Sequence, residues 1–243
     1  MGRILVTPRD ILGNKLRLHG PAARHILQVL RKKPGDIVEV TDGEGRHYAV
    51  RLESSLKNEL TGEIVSVHGE PEDPRAKPRL FQAIPKSQRM DWIIEKAVEL
   101  GAGAIHPLWT QRSVVVPHSH EWGGKLERWR RIAGEALGQS QGSVLCPVHA
   151  PCSLEDSLSQ IQPSELTLVA WEEETAHPLK EALRERTNQP LNIFIGPEGG
   201  LAPEEIARLR GRGAQTVSLG KRVLRVETAA VMFLSSILYE SLL

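Results

Sequence analysis

Hydrophobic and polar positions fall into two regimes along the chain. Up to about residue 70 the apolar runs are short. Ile37-Val38-Glu39-Val40 and Tyr48-Ala49-Val50-Arg51-Leu52 flank Asp42-Gly43-Glu44-Gly45 and read as two strands of a hairpin. Glu63-Ile64-Val65-Ser66-Val67 supplies a further strand, and residues 22–31 have helical spacing that Pro34-Gly35 ends, with His25 as a packing or capping residue. From Arg79 onward strands alternate with amphipathic helices, which predicts an α/β domain with a mostly parallel sheet. The predicted strands are 80–84, 105–108, 166–170, 191–195 and 216–219. The predicted helices are 90–100, 122–139, one that starts at Pro203, and a strongly apolar one over 229–242 with Thr228 as N-cap. Between the regimes, Glu70-Pro71-Glu72-Asp73-Pro74-Arg75-Ala76-Lys77-Pro78 has three prolines among charges and little to bury, as a linker does.

Two loops of the second regime carry candidate chemistry. The strand at 191–195 ends in Gly196-Pro197-Glu198-Gly199-Gly200 before a helix whose first residue is Pro203, with Ala202 a poor N-cap. It lacks the Lys-Ser/Thr pair of a phosphate-binding P-loop and holds a carboxylate, so it suits a neutral or positive ligand that needs close backbone approach. The strand at 216–219 runs into Gly220-Lys221-Arg222-Val223-Leu224-Arg225-Val226-Glu227 and then the apolar helix, whose N-terminus offers unpaired N–H donors. Taken alone, that loop is equally compatible with a tight turn bearing surface arginines. Ligands of open α/β sheets collect beyond the carboxyl ends of strands, which makes the loops after Ala170, Ile195 and Leu219 expected neighbours.

The net charge of +1 does not by itself mark a nucleic-acid binder, but its distribution changes the picture. Residues 1–35 carry Arg3, Arg9, Lys15, Arg17, Arg24, Arg31, Lys32 and Lys33 against Asp10, whereas residues 36–70 hold three cations against eight acids. The small first unit therefore has a basic side suited to phosphate contacts, or simply a solvated charged face. Cys146 and Cys152 accompany no metal-ligand pattern and read as free thiols in a reducing compartment. With no stretch of membrane-spanning length and too short an apolar run at the amino terminus for a signal peptide, the expected location is the cytoplasm, with neither membrane nor metal as partner.

Ile195-Gly196-Pro197-Glu198-Gly199-Gly200-Leu201 and Leu219-Gly220-Lys221-Arg222-Val223-Leu224-Arg225-Val226-Glu227-Thr228-Ala229 resemble the cofactor loops of the RsmE-type 16S rRNA (uracil-N3)-methyltransferases of the SPOUT superfamily. The resemblance extends through Lys96-Ala97-Val98-Glu99-Leu100-Gly101, Arg112-Ser113-Val114-Val115, and His25-Ile26-Leu27-Gln28-Val29-Leu30-Arg31 followed by Gly35-Asp36, in order and over nearly the whole chain. It implies an α/β fold with a SPOUT-like knotted, mostly parallel sheet flanked by helices on both faces over residues 76–243. It also implies a PUA-like RNA-binding β-barrel over 1–72. The implied cofactor is S-adenosyl-L-methionine, the substrate a uridine in 16S rRNA or the small ribosomal subunit, and the assembly a homodimer. Alternatives are a SPOUT ribose 2′-O-methyltransferase and a non-catalytic assembly factor.

By that resemblance the cofactor loops place Leu168, Ala170, Glu172, Ile195, Gly196, Glu198, Gly199, Gly200, Leu219, Gly220, Val223, Leu224, Thr228 and Ala229 around the cofactor. Glu198 or Glu172 would face a ribose hydroxyl or the sulfonium. Uracil N3 attacks as its proton leaves and charge spreads onto the carbonyl oxygens, so a cation there helps most. Arg225 is the first candidate, with Glu227 orienting an arginine or accepting a proton. Arg3, Arg24, Arg31, Lys32, Arg112 and Arg222 are candidate RNA contacts. Glu135-Ala136-Leu137-Gly138-Gln139-Ser140-Gln141-Gly142-Ser143 departs from the family pattern, with Gly138 where a glutamate is usual and no arginine after Ser140.

Overall fold

Alternation of buried and exposed side chains builds the first sheet. In the computed structural model, which describes residues 2–56, 59–69, 77–114, 122–186 and 189–241, β3 (Lys15–His19) buries Leu16 and Leu18 and turns Lys15, Arg17 and His19 outward. Residues 70–76 of the expected linker, and Val115, lie outside the described residues. With β1 (Ile4–Leu5), β2 (Ile11–Leu12), β4 (Ile37–Thr41), β5 (His47–Leu56) and β6 (Glu59–His68), β3 forms a six-stranded sheet of order β1-β4-β5-β6-β3-β2. The expected hairpin is present, antiparallel, with Val38 opposite Val50 and Val40 opposite Tyr48. Leu16, Leu18, Ile26, Val40, Val50, Leu52 and Leu60 make its core.

The helix expected over 22–31 is instead α1 (Gly20–Arg24) followed by a π-helical turn, His25–Val29, closed by the Leu30 N–H on the His25 carbonyl at 3.0 Å. Arg31 ends it in the left-handed region at φ 53°. The widened turn gives Ile26 the core position and leaves His25 exposed, so His25 is not the packing residue its spacing suggested.

Contacts group the chain into two compact units, Met1–Glu72 with Gly134–Leu145, and Asp73–Ala133 with Cys146–Leu243. The segment Gly134–Leu145 joins the first unit through backbone bonds: Arg3 N–H to the Gly138 carbonyl at 2.8 Å, Gly45 N–H to Ser143 at 2.9 Å, and Leu145 N–H to Gly43 at 2.8 Å. A β-carbon at Gly138 would overlap the Arg3 carbonyl, which explains glycine at this position. The Arg3 guanidinium donates to the Gln141 carbonyl and to Ser143 Oγ at 3.2 Å, so a cation from the amino terminus serves this loop.

The second unit is a parallel sheet of β7 (Arg79–Ala83), β8 (Ala104–Trp109), β9 (Cys152–Ser153), β10 (Leu166–Ala170), β11 (Leu191–Ile195) and β12 (Gln215–Val217), in the order β12-β10-β11-β7-β8-β9. Its helices are α2 (Arg89–Glu99), α3 (Trp122–Gln139) as far as Ala133, α4 (Leu154–Leu158), α5 (Leu179–Arg184), α6 (Pro203–Gly211) and α7 (Val226–Ser241). Leu154 and Leu158 of α4 and Ile206 and Leu209 of α6 pack with Phe81, Leu108, Val169 and Phe194. α2 and α5 each pack against α7, which also meets β11. β12 is shorter than predicted because Ser218 leaves it to pair with Pro178. α7 begins earlier than predicted: the Arg225 carbonyl accepts the Ala229 N–H at 2.8 Å, so Thr228 lies inside the helix and is not its N-cap.

Phe194, Phe81, His106 and His149 form a ring stack with centroid separations of 4.5, 4.4 and 4.2 Å. Burial, then repulsion from His149 and Arg79, pushes His106 down from 6.5 to about 3. Between those values the unfolded chain binds the proton and the folded one does not, so this group's contribution to stability is complete above pH 6.5 and falls as the pH drops. His106→Phe keeps the stack and removes the titration. Urea unfolding should then show about 2 kcal/mol less loss between pH 7 and pH 5 than in the parent, from 1.36 kcal/mol per pH unit. An equal loss in both proteins would remove His106 from the acid response.

Candidate active site

Register places the ends of three strands side by side: Ala170 of β10 pairs with Ile195 of β11 on one side and Val217 of β12 on the other. The turns that leave them surround one cavity of about 460 Å³, within the roughly 300–1,000 Å³ range of small-molecule sites. The expectation that the loops after Ala170, Ile195 and Leu219 meet around a shared hollow therefore agrees with the structure.

The first wall is Ala170, Trp171 and Glu172. Its path is fixed by Glu174, whose carboxylate accepts Thr216 Oγ1–H at 2.6 Å and the N–H groups of Ala176 and His177 at 2.9 and 3.3 Å. The Thr216 hydrogen bond, ahead of the backbone bonds, holds the Glu174 carboxyl below its usual range. Arg210 donates to Thr216 at 2.7 Å and lies 5.2 Å over the Trp171 ring, bracing the wall from behind.

The second wall is Ile195, Gly196, Pro197, Glu198 and Gly200. Gly200 has φ 69°, a conformation that favours glycine, and a β-carbon there would displace the Glu172 carboxylate. Ala202 has no side-chain acceptor for the first turn of α6; Glu205 substitutes by reaching back to the Ala202 N–H at 2.8 Å. Its other oxygen accepts the Gln111 N–H at 2.7 Å, tying the 110–113 loop to this turn. Glu205 is buried, so Glu205→Ala strands two amides, at about 1–3 kcal/mol each. Urea denaturation should register a loss of about 2 kcal/mol or more, with Glu205→Gln between variant and parent; an unchanged midpoint would contradict this role.

The third wall is Ser218, Leu219, Gly220, Lys221, Arg222, Val223, Leu224, Arg225, Val226 and Ala229. Gly220 at φ 116° turns the chain out of the sheet, and Lys221, Arg222 and Arg225 are exposed. Arg89, at the start of α2, completes the lining.

Most sequence-predicted residues are thus brought together, with definite exceptions. Leu168 is fully buried inside β10, two residues short of the strand end, and is not on the cavity wall. Gly199, Glu227 and Thr228 also lie off the lining. Gly199 instead gives its carbonyl to Arg112 Nη1 at 2.9 Å, so Arg112 braces the glycine turn. Glu198 lines the cavity with one oxygen already engaged: its Oε1 accepts the Lys86 N–H and Arg89 Nη1, both at 3.0 Å. In the first unit Arg3 is committed to Gln141 and Ser143, while Arg24 and Arg31 are exposed and Lys32 is half-buried. Arg89, Trp171, Pro197, Ser218, Lys221 and Val226 are lining residues that sequence reasoning did not assign to the site. The sequence signal for Arg89 is weak: it stands immediately before the helix predicted over 90–100, five residues past the end of the strand predicted over 80–84.

An all-parallel sheet with a ligand-sized cavity at adjacent strand ends, following a small β unit in the chain, defines a small-molecule-binding α/β domain. The sequence profile of an RNA methyltransferase domain matches residues 71–238, and that of an RNA methyltransferase PUA domain matches residues 18–65. The chain belongs to the ribosomal RNA small subunit methyltransferase E family. It is 32% identical to the Synechocystis member over 97% of this chain and 76% of that one, and 32% identical to the Bacillus subtilis member over 91% and 89%. Among solved structures, the Neisseria gonorrhoeae ribosomal RNA small subunit methyltransferase E bound to S-adenosyl methionine superposes with a TM-score of 0.87 at 28% identity, covering 98% of this chain and 96% of that one. Among the described residues no helix is long and apolar enough to cross a membrane.

Proposed function

We propose that this chain methylates N3 of a uridine in 16S rRNA of the small ribosomal subunit, using S-adenosylmethionine held in the cavity between the turns after β10, β11 and β12. The observation that carries this reading is that cavity, in a chain that resembles over its length an enzyme crystallised with S-adenosyl methionine. The residues fit such a group. Ala170, Ile195 and Leu219 bring strand-end backbone to the cavity, Gly196 and Gly200 admit close approach, and Glu172 offers a carboxylate to a positive ligand. When bound, S-adenosylmethionine supplies an electrophilic methyl on a positively charged sulfur.

Arg225 and Arg222 line the cavity, and a guanidinium beside the carbonyl oxygens of the substrate base stabilises charge as N3 loses its proton. Residues 1–72 act as the RNA-binding module, with Arg24, Arg31 and Lys32 as phosphate contacts and Arg3 withdrawn from that role by its bonds to Gln141 and Ser143. Residues 76–243 act as the methyltransferase domain. The family resemblance further supports a knotted carboxyl-terminal domain, a cytoplasmic location and a homodimer. The outward Met232 and Tyr239 of α7, 40% and 63% exposed, offer apolar surface to a second copy.

The test is mass spectrometry of nucleosides from small subunits incubated with the protein and S-adenosylmethionine. 3-Methyluridine is the expected product. A ribose-methylated nucleoside would replace the substrate atom, and no methylation alongside no cofactor binding would favour a non-catalytic assembly factor.

A further inference from the structure

Arg89 stands against a local rule. It places a cation in the first turn of the eleven-residue helix α2, at the end where backbone N–H groups already make the potential positive. It lies two residues after Ser87, a non-glycine residue held at φ 61°, a conformation that costs about 1–3 kcal/mol and concentrates at functional sites. Surrounding contacts hold it there. Nη1 donates to Glu198 Oε1 at 3.0 Å, and Nε stands 4.0 Å from Glu227 Oε2. The Lys86 N–H fixes the same Glu198 oxygen at 3.0 Å. Glu227 Oε2 is buried with no hydrogen-bond partner among the described residues. One carboxylate therefore binds the guanidinium and a second stands at ion-pair distance, while Arg89 forms part of the cavity wall and its side chain stays 40% exposed.

We infer that Arg89 is a ligand-contacting residue of this cavity, its guanidinium preset by Glu198 and Glu227 to donate to an oxygen acceptor of the bound molecule. Preorganisation is the physical gain: a guanidinium fixed in orientation loses little freedom when it meets its acceptor. The identity of that acceptor rests on the methyltransferase reading. It is either the carboxylate of the cofactor's amino-acid end or a carbonyl of the target uracil, and both present an oxygen to the same donor. Glu227 then acts by holding Arg89.

The experiment combines calorimetry of S-adenosylmethionine binding with turnover on small subunits for the parent, Arg89→Ala, Glu227→Gln and the double variant. Thermal unfolding checks that each is folded. A fall of tenfold or more in affinity on Arg89→Ala assigns the acceptor to the cofactor. Affinity within threefold with turnover down a hundredfold assigns it to the base. The loss must persist in the Glu227→Gln background, where releasing the buried carboxylate is no longer at issue. If Arg89→Ala has no effect there, its role is only to neutralise Glu227, and the inference is overturned. It is equally overturned if Arg89→Ala leaves affinity and turnover within threefold of the parent. A parent that binds no S-adenosylmethionine removes the functional reading and this inference together, whereas a binding parent with equivalent variants removes the inference alone.

Discussion

Replacing Gly200 by alanine is expected to weaken S-adenosylmethionine binding at least tenfold. The reason is local. At φ 69° an added β-carbon strains the backbone by about 1–2 kcal/mol, and it must occupy space held by the Glu172 carboxylate. Glu172 is the end of a flexible side chain and can swing away, but doing so moves a carboxylate that lines the cavity. Equilibrium dialysis measures the loss, and a double-mutant cycle divides it. In a Glu172→Ala background the steric part vanishes and only the backbone strain persists, so Gly200→Ala should cost less there. Equal affinities for parent and Gly200→Ala would show that this turn does not shape the cofactor site.

Arg225→Ala is expected to leave cofactor affinity within threefold and to lower turnover at least a hundredfold. Removing a donor aimed at developing negative charge costs about 10²–10³ in kcat. The substitution is structurally mild because Arg225 is exposed and starts α7 through its carbonyl, which alanine retains. Single-turnover methyl transfer to small subunits, with binding followed separately, checks both halves. Unchanged turnover would take Arg225 out of the chemistry.

What could be read from the sequence follows from how local each cause is. β10 and β11 lie at their predicted residues because Leu166–Ala170 and Leu191–Ile195 are short, mostly apolar runs, each with one buried polar residue, Thr167 and Asn192, as central parallel strands tolerate. The three turns were expected to be neighbours because ligand sites form at strand ends, and strand order places β12, β10 and β11 in sequence across the sheet. The start of α7 was misplaced because Thr228 carries a capping oxygen, whereas the helix in fact begins from the Arg225 carbonyl.

The role of Arg89 was not legible. It depends on Glu198 and Glu227, more than a hundred residues away, and on a positive φ at Ser87 that no glycine announces. Glu198 shows the converse: the loop displays a carboxylate, and long-range contacts with Lys86 and Arg89 engage one of its oxygens. Gly138 was legible only as a departure from the family pattern until the Arg3 backbone was seen lying against it.

Hydrogen–deuterium exchange on the intact chain, with and without saturating S-adenosylmethionine, tests the cavity most directly. The predicted result is protection of backbone amides within 171–174, 196–201 and 218–226, the stretches that leave β10, β11 and β12, with little change across 15–68. Protection confined to other parts of the chain, or none at a concentration where calorimetry registers saturation, would contradict the placement of the cofactor among these turns.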